Sequence, residues 1–160
     1  MKRCSIPVRK QAGTSLLEVL IAVVVLSVGL LGLAGLQVAG LRVNQGAMQR
    51  SQATMLAYDV LDRMRGARTA ALAGGYDVGV TAPVASSTLA ASSNLLHKEW
   101  GAALQRALVG AEGRICRTNN PAAMACVGSG EYFIVEILWT DENDRTAGAA
   151  KQTVSVMGQL

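Results

Sequence analysis

Residues 11–19, with the sequence QAGTSLLEV, have types and spacing that suggest a specific chemistry. Glu18 is an acid at the start of an apolar run, residues 19–36, that has eighteen residues and no charge. An ionised acid at the centre of a membrane helix costs ~2.5 to 3.5 kcal/mol, and such an acid usually has a partner. We therefore predict that the Glu18 carboxylate pairs with an opposite charge.

The cysteines are the second group of residues whose side chains could react. Cys116 and Cys126 have nine residues between them and lie far from Cys4 in the chain. They follow the apolar run, on the side opposite the basic N-terminus, where an oxidising compartment favours a disulfide. We expect a Cys116–Cys126 disulfide. His97 is the one histidine, on the polar face of a predicted helix, and no metal-ligand spacing or phosphate loop occurs. We therefore expect no enzyme activity, no cofactor and no metal.

Charge and hydropathy indicate where the chain crosses a membrane and in which orientation. A helix of eighteen residues is ~27 Å long, close to the ~30 Å hydrocarbon core of a bilayer. Before Gly13 lie four basic side chains and no acidic one, whereas residues 14–160 carry eleven of each sign. The positive-inside rule then predicts a cytoplasmic N-terminus with the rest of the chain across the membrane. The basic residues are Lys2, Arg3, Arg9 and Lys10.

The helical pattern continues beyond the apolar run and becomes amphipathic. We predict one helix from about Thr14 to about Arg65, with one apolar face on its second half. Residues 67–93 predict a long loop, with at most a short strand near residues 76–80. A second helix is predicted from Asn94, its N-cap, to Val109. The apolar face of the first helix consists of Ala53, Leu56, Ala57, Val60, Leu61 and Met64.

The last fifty residues change to the period of two that strands require. Residues 114–117, 132–140 and 152–157 predict three strands, and the middle one is the clearest because Phe133, Val135, Ile137 and Trp139 alternate with its other face. Short connections favour antiparallel pairing. The fold class is therefore α+β, with a small sheet that covers the helix stripe.

The basic leader, Gly13 and Glu18 together resemble the class III signal of type IV pilins and pseudopilins. The resemblance implies that a prepilin peptidase cuts between Gly13 and Thr14 on the cytoplasmic side and methylates the new Thr14 amine. Those families more often have Phe in place of Thr14. In a filament of packed helices, the Glu18 carboxylate of one subunit would pair with the Thr14 amine of its neighbour and fix the axial register.

A second resemblance is carried by residues 26–37, residues 75–77, Trp100 with Leu104, the cysteine pair and residues 132–141. Together these segments resemble the PilV-type minor pilins, also called type IV pilus modification proteins. The resemblance implies a pilin-like fold, in which 1–13 is the prepilin leader, 14–36 the transmembrane and assembly helix, 37–66 its amphipathic continuation, 67–93 a loop and 94–160 a disulfide-bearing α+β head. It also implies an inner-membrane subunit with a periplasmic head, which joins other minor pilins and the major pilin on the inner-membrane assembly platform. There it would form a priming or tip complex from which the pilus grows.

Several alternatives remain open from the residues alone. Ser15 and Glu18 match a capping box, and residues 32–34 match the cleavage site of an ordinary secretory signal. The same architecture fits a minor pseudopilin of a type II secretion system. Arg63, Arg65 and Arg68 could bind DNA in an uptake pilin, although we expect no nucleic-acid partner because the chain beyond the leader is neutral overall. Residues 141–144 offer oxygen ligands for calcium, but a solvated turn is favoured.

Overall fold

The fold is α+β, as the sequence predicts, with one long helix, three shorter helices and a four-stranded antiparallel sheet. The computed structural model describes residues 15–141 and 150–160. Two units divide the chain, Met1–Leu41 and Arg42–Leu160. The elements in chain order are α1 (Leu16–Gly66), α2 (Arg68–Leu72), β1 (Val84–Ala85), α3 (Ser86–Ala90), α4 (Leu95–Ala107), β2 (Glu112–Thr118), β3 (Tyr132–Trp139) and β4 (Gln152–Gln159).

The described part of the first unit is the beginning of α1, residues 16–41. An 18-residue window of α1 has a mean hydropathy of 2.8, and none of its residues is buried within the chain. Among the described residues, α1 is the one helix that is long and apolar enough to cross a membrane. Apolar side chains that find no core in their own chain need lipid or another protein around them.

In the second unit, the later part of α1 supplies one wall of the core. The predicted apolar stripe is confirmed, because five of its six residues are buried and Leu56 packs against them half-buried. The stripe repeats at intervals of three and four residues, which places it on one face of a helix. The buried five are Ala53, Ala57, Val60, Leu61 and Met64.

The sheet has the strand order β1-β2-β3-β4, with every neighbouring pair antiparallel. β3 is central: Val135 lies opposite Ile115 on β2 and opposite Val156 on β4. The predicted alternation on β3 is confirmed, because one face of the strand is buried in the core at no more than 1% exposure. The buried residues of that face are Phe133, Val135, Ile137 and Trp139.

Helix α4 lies against the sheet and begins where the sequence predicts. The Asn94 side chain accepts hydrogen bonds from the amides of Leu96 and His97, at 3.0 and 3.4 Å, which satisfies two N–H groups at the helix start. Trp100 packs on Gly113 of β2, where an added Cβ would lie 2.5 Å from the indole ring. α4 ends at Ala107, two residues before the predicted Val109.

Residues 67–93, expected to be a loop, contain short regular elements. α2 and α3 have five residues each, β1 has two, and Val78 forms an isolated bridge to Ile115. The Ala-rich sequence favours short helical turns. Gly101 of α4 lets α3 approach closely, since an added Cβ there would lie 2.6 Å from the Leu89 Cβ atom.

His97 differs from the expectation of a solvated polar face. It is 7% exposed, and its Nε2 atom lies 3.0 Å from the Tyr76 carbonyl oxygen. The Asn94 amide group donates to the neighbouring Gly75 carbonyl oxygen at 2.9 Å. The beginning of α4 therefore holds the chain at residues 75–76, and His97 has a structural role that helical periodicity did not indicate.

Candidate functional site

The candidate assembly site is the beginning of α1. Gly13 and Thr14, the predicted cleavage and methylation positions, lie outside the described residues. Glu18 is in the first turn of α1, where the free N–H groups of the helix favour a negative charge. Its side chain is exposed, and the neighbouring Leu17 and Val19 are 65% and 51% exposed.

The capping-box alternative depends on two hydrogen bonds, one from the Ser15 amide to the Glu18 carboxylate, which is not formed among the described residues, and one from the Glu18 amide to the Ser15 hydroxyl. In the structure this amide donates to the Ser15 carbonyl oxygen at 2.9 Å, and the Val19 amide donates to the same oxygen at 3.3 Å. The backbone alone therefore satisfies the Glu18 N–H group. The Glu18 carboxylate remains available for a charge supplied from elsewhere.

Glu18 is one of two polar side chains in residues 16–36, and the other is Ser27. The Ser27 hydroxyl donates to the Val23 carbonyl oxygen at 2.7 Å, a bond within α1 that a helix forms in lipid as readily as in water. This difference sets the two residues apart. Ser27 is satisfied inside its own helix, and Glu18 is the residue of this segment that gains from an external partner.

Glycines along the same part of α1 leave room for a neighbouring helix. An added Cβ at Gly29, Gly32, Gly35 or Gly40 would meet no atom of the described chain within 4 Å. Packing within this chain therefore does not require glycine there. In membranes, small residues allow the backbones of two helices to approach closely.

The structure contains the Cys116–Cys126 disulfide, with 5.5 Å between the two Cα atoms. Cys116 is fully buried on β2, and Cys126 lies in the connection between β2 and β3. The amides of Val127 and Gly128 donate to the Arg117 carbonyl oxygen, at 3.0 and 3.2 Å. The disulfide and these hydrogen bonds together fix this connection against the sheet.

Arg117 forms an ion pair that sequence reasoning missed. Its Nε and Nη2 atoms each lie 2.9 Å from Asp77 Oδ2, and both side chains are about one-seventh exposed. The guanidinium also donates to the carbonyl oxygens of Leu72 and Gly128, the latter at 2.7 Å. Arg117 thus joins α2, the segment around Asp77 and the disulfide-bearing connection. No pattern in the sequence relates residues that lie 40 positions apart.

Two of the three arginines that suggested DNA binding are engaged with carboxylates. Arg63 lies 2.9 Å from Asp59 and 2.6 Å from Glu99, and Arg65 is paired with Asp62. The hydrogen bond to Asp59, and then the one to Glu99, raise the pKa of the Arg63 guanidinium, so it stays charged at every physiological pH. Acidic partners already balance these two positive charges, which reduces their attraction for phosphate.

Metal ligands do not cluster in the part of the chain that the structure describes, where no group of three His, Cys, Asp or Glu side chains comes together. Of the residues 141–144 considered for calcium, Asp141 is described and the other three lie outside the described residues.

Comparison with known proteins agrees with the geometry at the beginning of α1. Residues 8–34 match the protein family described as the prokaryotic N-terminal methylation motif. The searches of the curated proteins and of the solved structures found no match for this chain. The matched segment contains Gly13, Thr14 and Glu18 and extends into the apolar part of α1. The chain thus carries the motif of a type IV pilin-like or pseudopilin-like prepilin, which implies processing by a prepilin peptidase and assembly with other pilins.

Proposed function

We propose that this chain is the precursor of a type IV pilus minor pilin. The observation that carries the proposal is the methylation motif at residues 8–34, which places one acid, Glu18, at the start of an exposed apolar helix. A folded α+β unit with its own core follows in the same chain. Such a chain has an anchor, a charge for pairing and a structured surface, which are the parts that a subunit of an assembly needs.

The proposed processing removes residues 1–13. Prepilin peptidase cuts between Gly13 and Thr14 and methylates the Thr14 amine on the cytoplasmic side of the inner membrane. The basic leader favours this orientation. The disulfide of the second unit fits an oxidising periplasm on the other side. In this proposal residues 14–36 anchor and assemble the subunit, residues 37–66 continue the helix, residues 67–93 connect it to the head, and residues 94–160 form the head.

Glu18 gives the proposed assembly its register. Two opposite charges ~4 Å apart attract by ~4 kcal/mol at an effective dielectric of ~20, before desolvation is subtracted. The Thr14 amine of a neighbouring subunit would supply the positive charge. Removing one partner of such a pair leaves a buried charge without compensation, which is strongly unfavourable. A subunit that enters at the wrong height along the filament is therefore rejected.

The assignment to minor pilins in particular is supported by the PilV-type features of the sequence, from residues 26–37 to residues 132–141. In this role the subunit joins other minor pilins and the major pilin on the inner-membrane assembly platform and primes pilus growth. The activity is assembly, with no catalytic step. The alternative in the same architecture is a minor pseudopilin of a type II secretion system. The alternative of a DNA-uptake pilin is weakened by the ion pairs of Arg63 and Arg65.

The first test is the N-terminal residue and intact mass of the membrane-extracted protein, with and without a functional prepilin peptidase. We expect a methylated Thr14 as the first residue in the presence of the peptidase and the full leader in its absence. A first residue at Gly35 would show an ordinary secretory signal, and an unprocessed Met1 would show a simple anchor. Either result would contradict the proposal.

The second test separates the pilus from the secretion system. Deletion of the gene should abolish surface pili and twitching, and loss of secreted enzymes instead would assign the chain to a secretion system. Glu18→Gln keeps the shape of the side chain and removes its charge. We expect this variant to be processed normally and to fail in assembly, whereas Ser27→Ala, which removes an internally satisfied hydroxyl, should assemble like the wild type.

A further inference from the structure

β4 is at an edge of the sheet and is paired on one side. Its eight residues form eight consecutive pairs with β3, from Trp139 opposite Gln152 to Tyr132 opposite Gln159. In residues 15–141 and 150–160, no backbone hydrogen bond joins the outer side of β4 to another segment. Because neighbouring residues of an antiparallel edge strand point their N–H groups alternately in and out, four N–H groups face outward.

This edge lacks the features that usually prevent pairing with another chain. Natural edge strands are protected by short length, charged side chains, proline or bulges. β4 has the sequence QTVSVMGQ, with no charged residue and no proline, and its register contains no bulge. The adjacent Lys151 is held in an ion pair with Glu112 across the sheet. By contrast, β1 at the opposite edge has only two residues and leads directly into α3.

The chain that joins β3 to β4 is too short to cover this edge. It comprises residues 140–151, which is twelve residues. Running along all eight residues of β4 and returning to its start would take roughly 16 residues, because an extended chain advances ~3.3 Å per residue in both directions. This connection therefore cannot span the whole outer edge of β4.

Arginines of α1 lie at both ends of β4. Arg50 Nη2 donates to the Gln152 side-chain oxygen at 3.0 Å, and Arg65 Nη2 lies 3.7 Å from an added Cβ at Gly158. Arg50 and Arg65 are ~22 Å apart along the helix, and Gln152 and Gly158 are ~20 Å apart along the strand. The helix and the strand thus run side by side. The Arg65 charge is balanced by Asp62, whereas Arg50 donates to a neutral side chain and leaves a positive charge near the start of β4.

We propose that the β4 edge binds an extended segment of a different subunit of the pilus assembly, which adds a fifth strand and carries a carboxylate near the end that lies beside Arg50. Main-chain hydrogen bonds supply the affinity in such strand addition, and flanking charges supply selectivity. A second copy of this chain fits less well, because its β4 strand has no carboxylate to place beside Arg50. The partner rests on the proposed function, since it is a subunit of the same assembly.

The test compares amide hydrogen exchange in the full-length chain, alone in detergent and in the complex purified with its pilin partners. We expect the outward amides of β4 to exchange at least tenfold more slowly in the complex, with the α4 amides unchanged as the internal reference. Equal exchange of β4 in the two samples would overturn the inference. Slowed exchange in the isolated chain that increases with its own concentration would also overturn it, because the occupant would then be a second copy.

Two adjacent proline variants test the edge directly. Thr153→Pro and Val154→Pro remove neighbouring N–H groups, of which one faces β3 and the other faces outward. The variant that retains the wild-type melting temperature is the one whose missing N–H group faces outward, because it keeps every hydrogen bond to β3. We expect it to co-purify at least tenfold less with the partner subunits, while Thr153→Ala, which keeps the N–H group, co-purifies like the wild type. Normal co-purification of the folded proline variant would contradict the proposal.

Failure of this inference differs from failure of the proposed function. If wild-type protein co-purifies with pilin subunits and Glu18→Gln does not, the proposed function stands and the exchange of β4 decides the inference alone. If wild-type protein is captured with no pilin subunit, both are overturned, because no neighbouring subunit exists to supply the strand.

Discussion

Removing the Cys116–Cys126 disulfide should destabilise the second unit by an amount that follows from its loop length. The two cysteines are ten positions apart, and closing a loop of about that size lowers the entropy of the unfolded chain by the equivalent of ~2.7 kcal/mol on the chain-entropy model. We expect the double variant Cys116→Ala, Cys126→Ala to lose that stability. The double variant is preferable to a single one because it leaves no free thiol in the head.

The melting temperature converts this loss into an observable. For a unit of about 120 residues, 1 kcal/mol corresponds to roughly 3 to 5 °C, so we expect a decrease of about 8 to 13 °C. The assay is thermal unfolding of the processed full chain in detergent, followed by far-ultraviolet circular dichroism. Wild-type protein with added reductant should approach the double variant, and Cys4→Ala should have no effect, since the proposed processing removes the leader.

The size of the decrease shows whether loop length sets the stabilisation. Arg117 also holds the disulfide-bearing connection, through its hydrogen bond to the Gly128 carbonyl oxygen, so the connection should stay attached in the variant. A decrease in melting temperature below 2 °C would show that the disulfide does not lower the conformational entropy of the unfolded chain. A decrease above 20 °C would show that Arg117 cannot hold the connection without it. Either result would refute an entropic stabilisation of the expected size.

The remaining predictions also concern the stability of the second unit. Arg117→Ala leaves the buried Asp77 carboxylate without its partner, so the free energy of unfolding measured in urea should fall by about 3 kcal/mol. Adding Asp77→Asn to this variant should restore part of that loss. No recovery would argue against the ion pair. Gly101→Ala should cost about 1 to 3 kcal/mol, because its methyl group would meet α3. The matched change Gly46→Ala on α1 meets no atom within 4 Å and should stabilise by about 0.5 to 1 kcal/mol. Equal effects of the two glycine changes would contradict the close approach of α3 to α4.

Periodicity predicted the parts of the fold in which one face of an element is buried. The stripe of α1 and the alternation on β3 were found as expected, because burial of one side leaves a repeat in the sequence. The N-cap at Asn94 was also found, since its chemistry is local. Local signals of this kind need no information about distant residues.

The parts that were missed depend on contacts between distant residues. β1 and the bridge at Val78 are too short for a repeat, and pairing with β2 determines both. From the sequence alone, Arg117 and Asp77 look like two separate surface charges, whereas the folded sheet brings them together. His97 has polar neighbours in sequence, yet its side chain is buried and lies within hydrogen-bonding distance of the Tyr76 carbonyl oxygen. At the candidate site, the residues were predicted from a local motif, and the open edge of β4 emerged only from the strand order.

Burial indicates that stability and assembly depend on different residues of this chain. The large apolar side chains of residues 16–43 are exposed, whereas the buried residues of the core lie between residues 53 and 156. Glu18 is exposed and is not one of the core residues, so removing its charge should not alter the melting temperature of the head. A variant such as Glu18→Gln can therefore lose assembly and remain folded. Substitutions at Arg117 or the disulfide should reduce stability while leaving cleavage after Gly13 intact, because the peptidase acts on the leader segment.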